Sequence, residues 1–180
     1  LALAIFPLLL SNVVRTFGWL VVLGSQGVLG RVLMALHLVE KPPQLLASEF
    51  AIVLGLIQLF LPLAIISSYS AIAQVDATLD EAARSLGASP TRTFWSVVVP
   101  LSLPGVIVAA TLVFAGSVTA YTTPFLLGGS SDKMLSTQLF YYTDTNVDWT
   151  MAGAVALMMT ILVFAVASLS SATGRLGRTQ

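Results

Sequence analysis

Carboxylates interleaved with aromatic rings are the chemistry-bearing side chains of this sequence: Glu49, Tyr121, Tyr141, Tyr142, Asp144, Asp148 and Trp149. The combination suits a flexible, multiply charged cation, because each water that such a solute sheds must be replaced by negative charge or by the face of a ring. A plainer reading is preferred for several of them: Tyr142 and Trp149 as an interfacial aromatic belt, Asp144 and Asp148 as a solvated loop. Arg15 could steer or pair at the outer face, and a structural ion pair is the preferred reading. Covalent and metal chemistry find less to work with. His37 stands without a second histidine or any cysteine, so no metal site is expected, and no His-Glu-x-x-His occurs. Lys41 and Lys133 lie in no Gly-x-x-x-x-Gly-Lys-Ser/Thr sequence, so the chain is expected to hydrolyse no ATP by itself. No catalytic residue and no cofactor is assigned, and the chain is not expected to be an enzyme.

Composition dictates the elements that carry these side chains. Of 180 residues 57% are hydrophobic and 9% charged, and the mean hydropathy is +0.93. A soluble domain of this length could not hide so much apolar surface in its own core. The bilayer is therefore the solvent. A net charge of zero leaves no basic patch to neutralise phosphates, which excludes nucleic-acid binding.

Apolar runs at 50–66, 103–118 and 149–168 predict spans at about 48–68, 100–121 and 149–171, helices long enough to cross roughly 30 Å of hydrocarbon. Residues 1–11 read as the end of a span whose start precedes the sequence, giving an N-terminally truncated domain. Residues 11–47, broken by Gly18, Gly24, Gly27, Gly30 and the Pro42-Pro43 pair, read as a loop with short interfacial helices. Pro62 is expected to kink its span, and Pro100 and Pro104 to begin theirs, where the first turn has unpaired N–H groups anyway. Gly105, Ala109, Ala110 and Gly116 offer a close helix contact. Glu49 and Tyr121 fall at the outer ends of spans. The whole of 1–180 reads as a single all-α transmembrane domain.

One polar interruption, at 76–99, has local reasons to fold. Asp76 or Thr78 can cap a first helix, and Thr78 with Glu81 has capping-box spacing. Leu79, Ala82, Ala83 and Leu86 recur at i, i+3, i+4 and i+7, giving one apolar face whose alanines permit close approach. Asp80 and Arg84 can pair across one turn. Gly87 sits where a left-handed residue would end that helix, and Ser89-Pro90 supplies a cap and a first-turn proline for the next. Phe94 and Trp95 lie on that second helix.

Glu81-Ala82-Ala83, Gly87, Val97, Val99 and Pro100 share their spacing with Glu-Ala-Ala, three residues, Gly, nine residues, Ile-x-Leu-Pro. The stretch resembles the EAA loop of permease subunits in ATP-binding-cassette importers. Beyond the loop, Pro7-Leu8-Leu9-Leu10-Ser11, Val14-Arg15-Thr16-Phe17-Gly18-Trp19, Leu61-Pro62, Leu86-Gly87-Ala88-Ser89-Pro90 and Pro124-Phe125-Leu126-Leu127-Gly128-Gly129 are similar to the spermidine/putrescine permease group.

The resemblance implies a type I importer transmembrane domain in the bacterial inner membrane, multi-pass, with a cytoplasmic coupling-helix loop. Glu81, Ala82, Ala83, Leu86, Gly87, Ser89 and Pro90 would then meet a cytoplasmic ATP-binding-cassette ATPase dimer. The implied partners are those ATPases, a second permease subunit, an extracytoplasmic substrate-binding protein and membrane lipid. The implied cargo is a small solute such as spermidine or putrescine, with Glu49, Tyr121, Tyr142 and Trp149 as pathway residues. Ferric iron, an opine or a phosphonate-type solute is the alternative within the same class. An ion-gradient-driven secondary transporter is a remoter one, since proline-bearing, broken helices occur there too.

Overall fold

The computed structural model describes residues 10–39, 41, 44–129 and 133–176. The partial span expected at 1–11 thus falls almost wholly outside the described residues, as do Glu40, the Pro42-Pro43 pair, Arg178 and the side chains of Asp80 and Arg175. Nine helices follow one another among the described residues: α1 Asn12–Leu23, α2 Val28–Ala35, α3 Glu49–Ala73, α4 Ala77–Ser85, α5 Pro90–Thr93, α6 Val99–Thr119, α7 Thr122–Leu127, α8 Leu135–Phe140 and α9 Trp149–Leu176. A π-turn, Phe94–Val98, joins α5 to α6, and a second, Tyr141–Thr145, continues α8. The described residues contain no strand, in keeping with an all-α membrane protein.

Among the described residues four stretches are long and apolar enough to cross a membrane: Asn12–Ala35, Glu49–Ala73, Pro90–Thr119 and Trp149–Ser171. The first of them falls within the stretch expected to be a loop with short interfacial helices. Its residues are apolar enough to span, and glycines merely divide the helix in two: after Leu23, the Gly24 N–H closes on the Leu20 carbonyl at 3.1 Å and the Gly27 N–H on that of Gly24 at 2.7 Å. α3 runs through Pro62 without a break.

Pro100 is the second residue of α6 and Pro104 lies in its interior, and the helical rod that carries them starts earlier, at Pro90. In the π-turn before α6 the Val99 N–H reaches back five residues to the Phe94 carbonyl, so the ladder is already widened where Pro100 has no N–H to give.

Internal packing groups the described residues into two compact units: those of 63–115 with 162–176, and those of 10–62 with 116–161. In the second unit Leu23, Ala51 and Leu127 are fully buried, with Trp19, Leu20, Leu29, Leu45, Leu46 and Leu54 packed around them. A polar staple crosses the same unit. Thr16 Oγ1 donates to the Asn12 carbonyl at 2.9 Å and lies 3.4 Å from Thr123 Oγ1. Thr123 in turn donates to Asn12 Oδ1 at 3.4 Å. These hydroxyls give buried polar groups a partner inside apolar surroundings. Gly55 lets α3 come close: a Cβ there would stand 2.5 Å from Thr123 Cγ2 and 2.6 Å from Leu127 Cδ1.

In the first unit, α3 and α6 touch where a Cβ on Gly105 would lie 2.5 Å from that of Ala71. Ala109 is buried nearby, whereas Ala110 is exposed, so only part of the expected small-residue face makes the contact.

Candidate coupling hairpin and aromatic cluster

The hairpin is built by its caps. Asp76 is the N-cap of α4, its Oδ1 accepting from the Thr78 N–H at 2.9 Å. That bond, from the backbone first and reinforced by the Thr78 hydroxyl, holds the Asp76 carboxyl below its ordinary value. At the other end Gly87 takes φ +85°. The Gly87 N–H bonds the Arg84 carbonyl at 2.9 Å and the Ala88 N–H bonds that of Ala83 at 3.1 Å, the paired closure of a Schellman motif. Ser89 then caps α5, accepting from the Arg92 N–H at 3.4 Å, with Pro90 in the first turn. Thr93, buried, returns its hydroxyl to the Ser89 carbonyl at 3.2 Å. On the apolar face Leu86 is 90% exposed, Leu79 is 44% exposed, Ala82 is exposed and Ala83 half-buried. Phe94 and Trp95 meet edge to face at 5.5 Å between centroids, and both remain exposed.

A second constellation lies in the other unit. Tyr121 stacks on Phe125 at 5.1 Å and on Phe140 at 4.3 Å. Phe125 and Phe140 line a cavity of about 340 Å³ together with Lys133, Tyr141 and Asp144. Lys133 Nζ sits 4.4 Å over the Tyr141 ring. Burial pushes the Tyr121 phenol above its ordinary pKa, and the Asp144 carboxylate adds to the effect.

The sequence matches, over residues 2–175, the family described as binding-protein-dependent transport system inner membrane component. The chain belongs to that family. It is a multi-pass inner-membrane component of a binding-protein-dependent transport system. Among curated relatives, the spermidine/putrescine transport system permease protein PotB of Haemophilus influenzae is 32% identical over 91% of this chain and 57% of its own length. PotB of Escherichia coli is 29% identical over 91% of this chain and 59% of its own length. A permease named for 2-aminoethylphosphonate transport in Salmonella typhi is 28% identical over 86% of this chain and 54% of its own length. The chain thus spans little more than half the length of the curated relatives it matches.

In this permease component the expected coupling residues fall together on one hairpin, Glu81, Ala82 and Ala83 on α4, then Leu86 and Gly87 at its end, then Ser89 and Pro90 opening α5. The expected pathway residues disperse. Tyr121 joins the aromatic cluster, whereas Glu49 is the exposed first residue of α3 and Tyr142 pairs with Tyr141 at 5.7 Å. Trp149 opens α9 and is exposed. Asp148 is a helix cap, its Oδ1 accepting from the Thr150 N–H at 3.1 Å and the Met151 N–H at 3.0 Å. His37 stands at φ +55° in an exposed turn. Arg15 finds no ion-pair partner among the described residues. Phe125, Phe140 and Lys133 escaped the sequence reading as site residues. Tyr121 and Phe125 at i, i+4 were a usable signal, but nothing in the sequence links Phe140 to Tyr121.

Proposed function

We propose that the chain is the membrane-embedded, non-catalytic part of a permease subunit that imports a polyamine such as spermidine or putrescine, driven by separate cytoplasmic ATPases. The carrying observation is the hairpin, capped at both ends of α4 and at the start of α5, with Leu79, Ala82 and Leu86 uncovered on one face. An apolar face on a short, well-stopped helix is a surface for a partner groove. Because α5 runs through the π-turn into α6 without leaving helix, closure of an ATPase dimer on the hairpin would be passed to the span as a rigid-body movement. A second permease completes the pathway and an extracytoplasmic binding protein delivers the solute. The relatives named for spermidine and putrescine support the cargo. So does the Tyr121–Phe125–Phe140 stack beside Asp144, rings and a carboxylate being what a polyamine's ammonium groups need.

The test is reconstitution of the full-length protein with its ATPases, second permease and binding protein. Spermidine or putrescine is expected to stimulate ATP hydrolysis, and Gly87→Pro to abolish both the stimulation and ATPase co-purification. Uptake that follows an ion gradient and survives ATP depletion would overturn the reading.

A further inference from the structure

The cavity that offers rings and a carboxylate to a polycation also holds a lysine. Lys133 Nζ lies 4.4 Å over the centroid of the Tyr141 ring, well inside the roughly 6 Å over which a ring face attracts an ammonium. Asp144, Phe125 and Phe140 line the same cavity of about 340 Å³, a volume within the range of about 300–1,000 Å³ usual for small-molecule sites. The protein's own cation thus occupies a ring face that a solute ammonium would need.

Backbone bonds hold the ring and the carboxylate in place. Tyr141 and Asp144 both belong to the π-turn Tyr141–Thr145. The Asn146 N–H closes on the Tyr141 carbonyl at 3.0 Å, and the Asp148 N–H on that of Tyr142 at 2.8 Å. Val147, between them, stands at φ +52°, a strained conformation for a β-branched residue that persists only where the surroundings enforce it. Lys133, by contrast, carries its ammonium on a flexible four-carbon stem. Of the three groups it moves most easily. Every one of these contacts is made by this chain alone, between the apolar stretches Pro90–Thr119 and Trp149–Ser171.

We propose that Lys133 sets the selectivity of this cavity as a tethered stand-in for the solute: its ammonium covers the Tyr141 ring until a solute with two or more ammonium groups displaces it. The inference rests on the reading of the cavity as a polyamine site. Among the described residues Lys133 and Asp144 are the charged groups of the lining, so their charges cancel and a lone ammonium gains little by entering. A monoamine that takes Asp144 lies beside Lys133 and is repelled, and one that takes the ring forgoes the carboxylate. A diamine does both. One ammonium meets Asp144 while the other replaces Lys133 on the ring, and the displaced lysine swings out to water.

The experiment uses the full-length protein with its second permease and ATPases in lipid nanodiscs, its lysines dimethylated with carbon-13 formaldehyde, which keeps their charge. The Lys133 methyl resonance, identified by its absence from Lys133→Arg, is expected upfield of free dimethyl-lysine through the Tyr141 ring current, and at the free position in Tyr141→Leu. Spermidine is expected to move it to the free position as well, and butylamine at the same concentration to leave it in place. In equilibrium binding, Lys133→Met is expected to take spermidine about threefold and butylamine roughly tenfold more tightly, while Lys133→Arg keeps the wild-type ratio within about twofold. Recovery of the ATPases with each variant shows that it folds. A wild-type Lys133 resonance without the upfield shift, or one that bound spermidine leaves unmoved, overturns the proposal and leaves the cargo reading standing. Weaker spermidine binding by Lys133→Met overturns it too. A wild-type complex that binds no polyamine overturns it together with the cargo reading.

Discussion

At the scale of single residues, the backbone makes unequal demands on two positions of similar φ. Gly87 at φ +85° meets nothing within 4 Å of a would-be Cβ, so its constraint is conformational rather than spatial. Gly87→Ala is expected to cost about 1 kcal/mol, readable as faster amide exchange at the carboxyl end of α4, while the ATPase still binds. Val147 occupies φ +52° with a β-branched side chain that is exposed. Val147→Gly is expected to raise the thermal midpoint of the solubilised protein, by an amount corresponding to about 1 kcal/mol, since it removes strain and sacrifices little packing. Asp76 adds a pH dependence of known sign. Its carboxyl is held below 3.8 by the bonds to Thr78, so the cap is fully present above that value and is lost as pH falls through the lower folded value. Amide protection at Thr78 should drop in that acid window, and Asp76→Asn, which still accepts a hydrogen bond, should flatten the profile. These local devices were legible beforehand at Gly87, Ser89 and Pro90, because caps are written in adjacent letters. The choice of Asp76 over Thr78 was not, as both satisfy the same spacing and only geometry decides.

Between whole elements, what was readable depended on sequence distance. The hydrophobic runs located α3, α6 and α9, since length against bilayer thickness is a property of a contiguous segment. The continuation of α5 into α6 was missed because Pro100 and Pro104 look like a start, and a π-turn leaves no mark in composition. Sequence spacing proposed the close face of α6, yet Gly105 and Ala109 pack and Ala110 does not, a distinction set by the rotation of α6 against α3. Contacts of this kind make a prediction about packing. Gly55→Val places methyls where Thr123 and Leu127 already stand, and overpacking of that sort typically costs about 1–3 kcal/mol. The expected result is a lower thermal midpoint. It should be accompanied by loosening of α7, seen as new protease sensitivity near Thr122, while the hairpin's exchange protection is unchanged.

Taken as a molecule, the aromatic cluster shows where reading from sequence stopped. From sequence, Tyr121 falls at the outer end of a span and Asp144 in a solvated loop, with nothing to join them. Their neighbourhood depends on Phe140, on α8, and on long connections such as the Ser136 hydroxyl bonding the Ala120 carbonyl at 2.6 Å. Only the folded chain makes such bonds. If the cluster handles a polyamine, Tyr121→Ala is expected to raise the half-saturating solute concentration for stimulated ATP hydrolysis by roughly tenfold, with subunit composition and basal hydrolysis unchanged, as loss of a desolvated ring face would. A Tyr121→Phe variant, which keeps the face, should stay within about twofold.

The bare leucine at the tip of the hairpin also has a meaning for supply. If the hairpin meets ATPase subunits as proposed, a copy made in excess of them would hold Leu86 out uncovered, and greasy patches of that kind are what proteolytic surveillance recognises. Surplus subunits should therefore be short-lived and become durable when the ATPases are overproduced. Turnover itself would then keep the stoichiometry of the assembly.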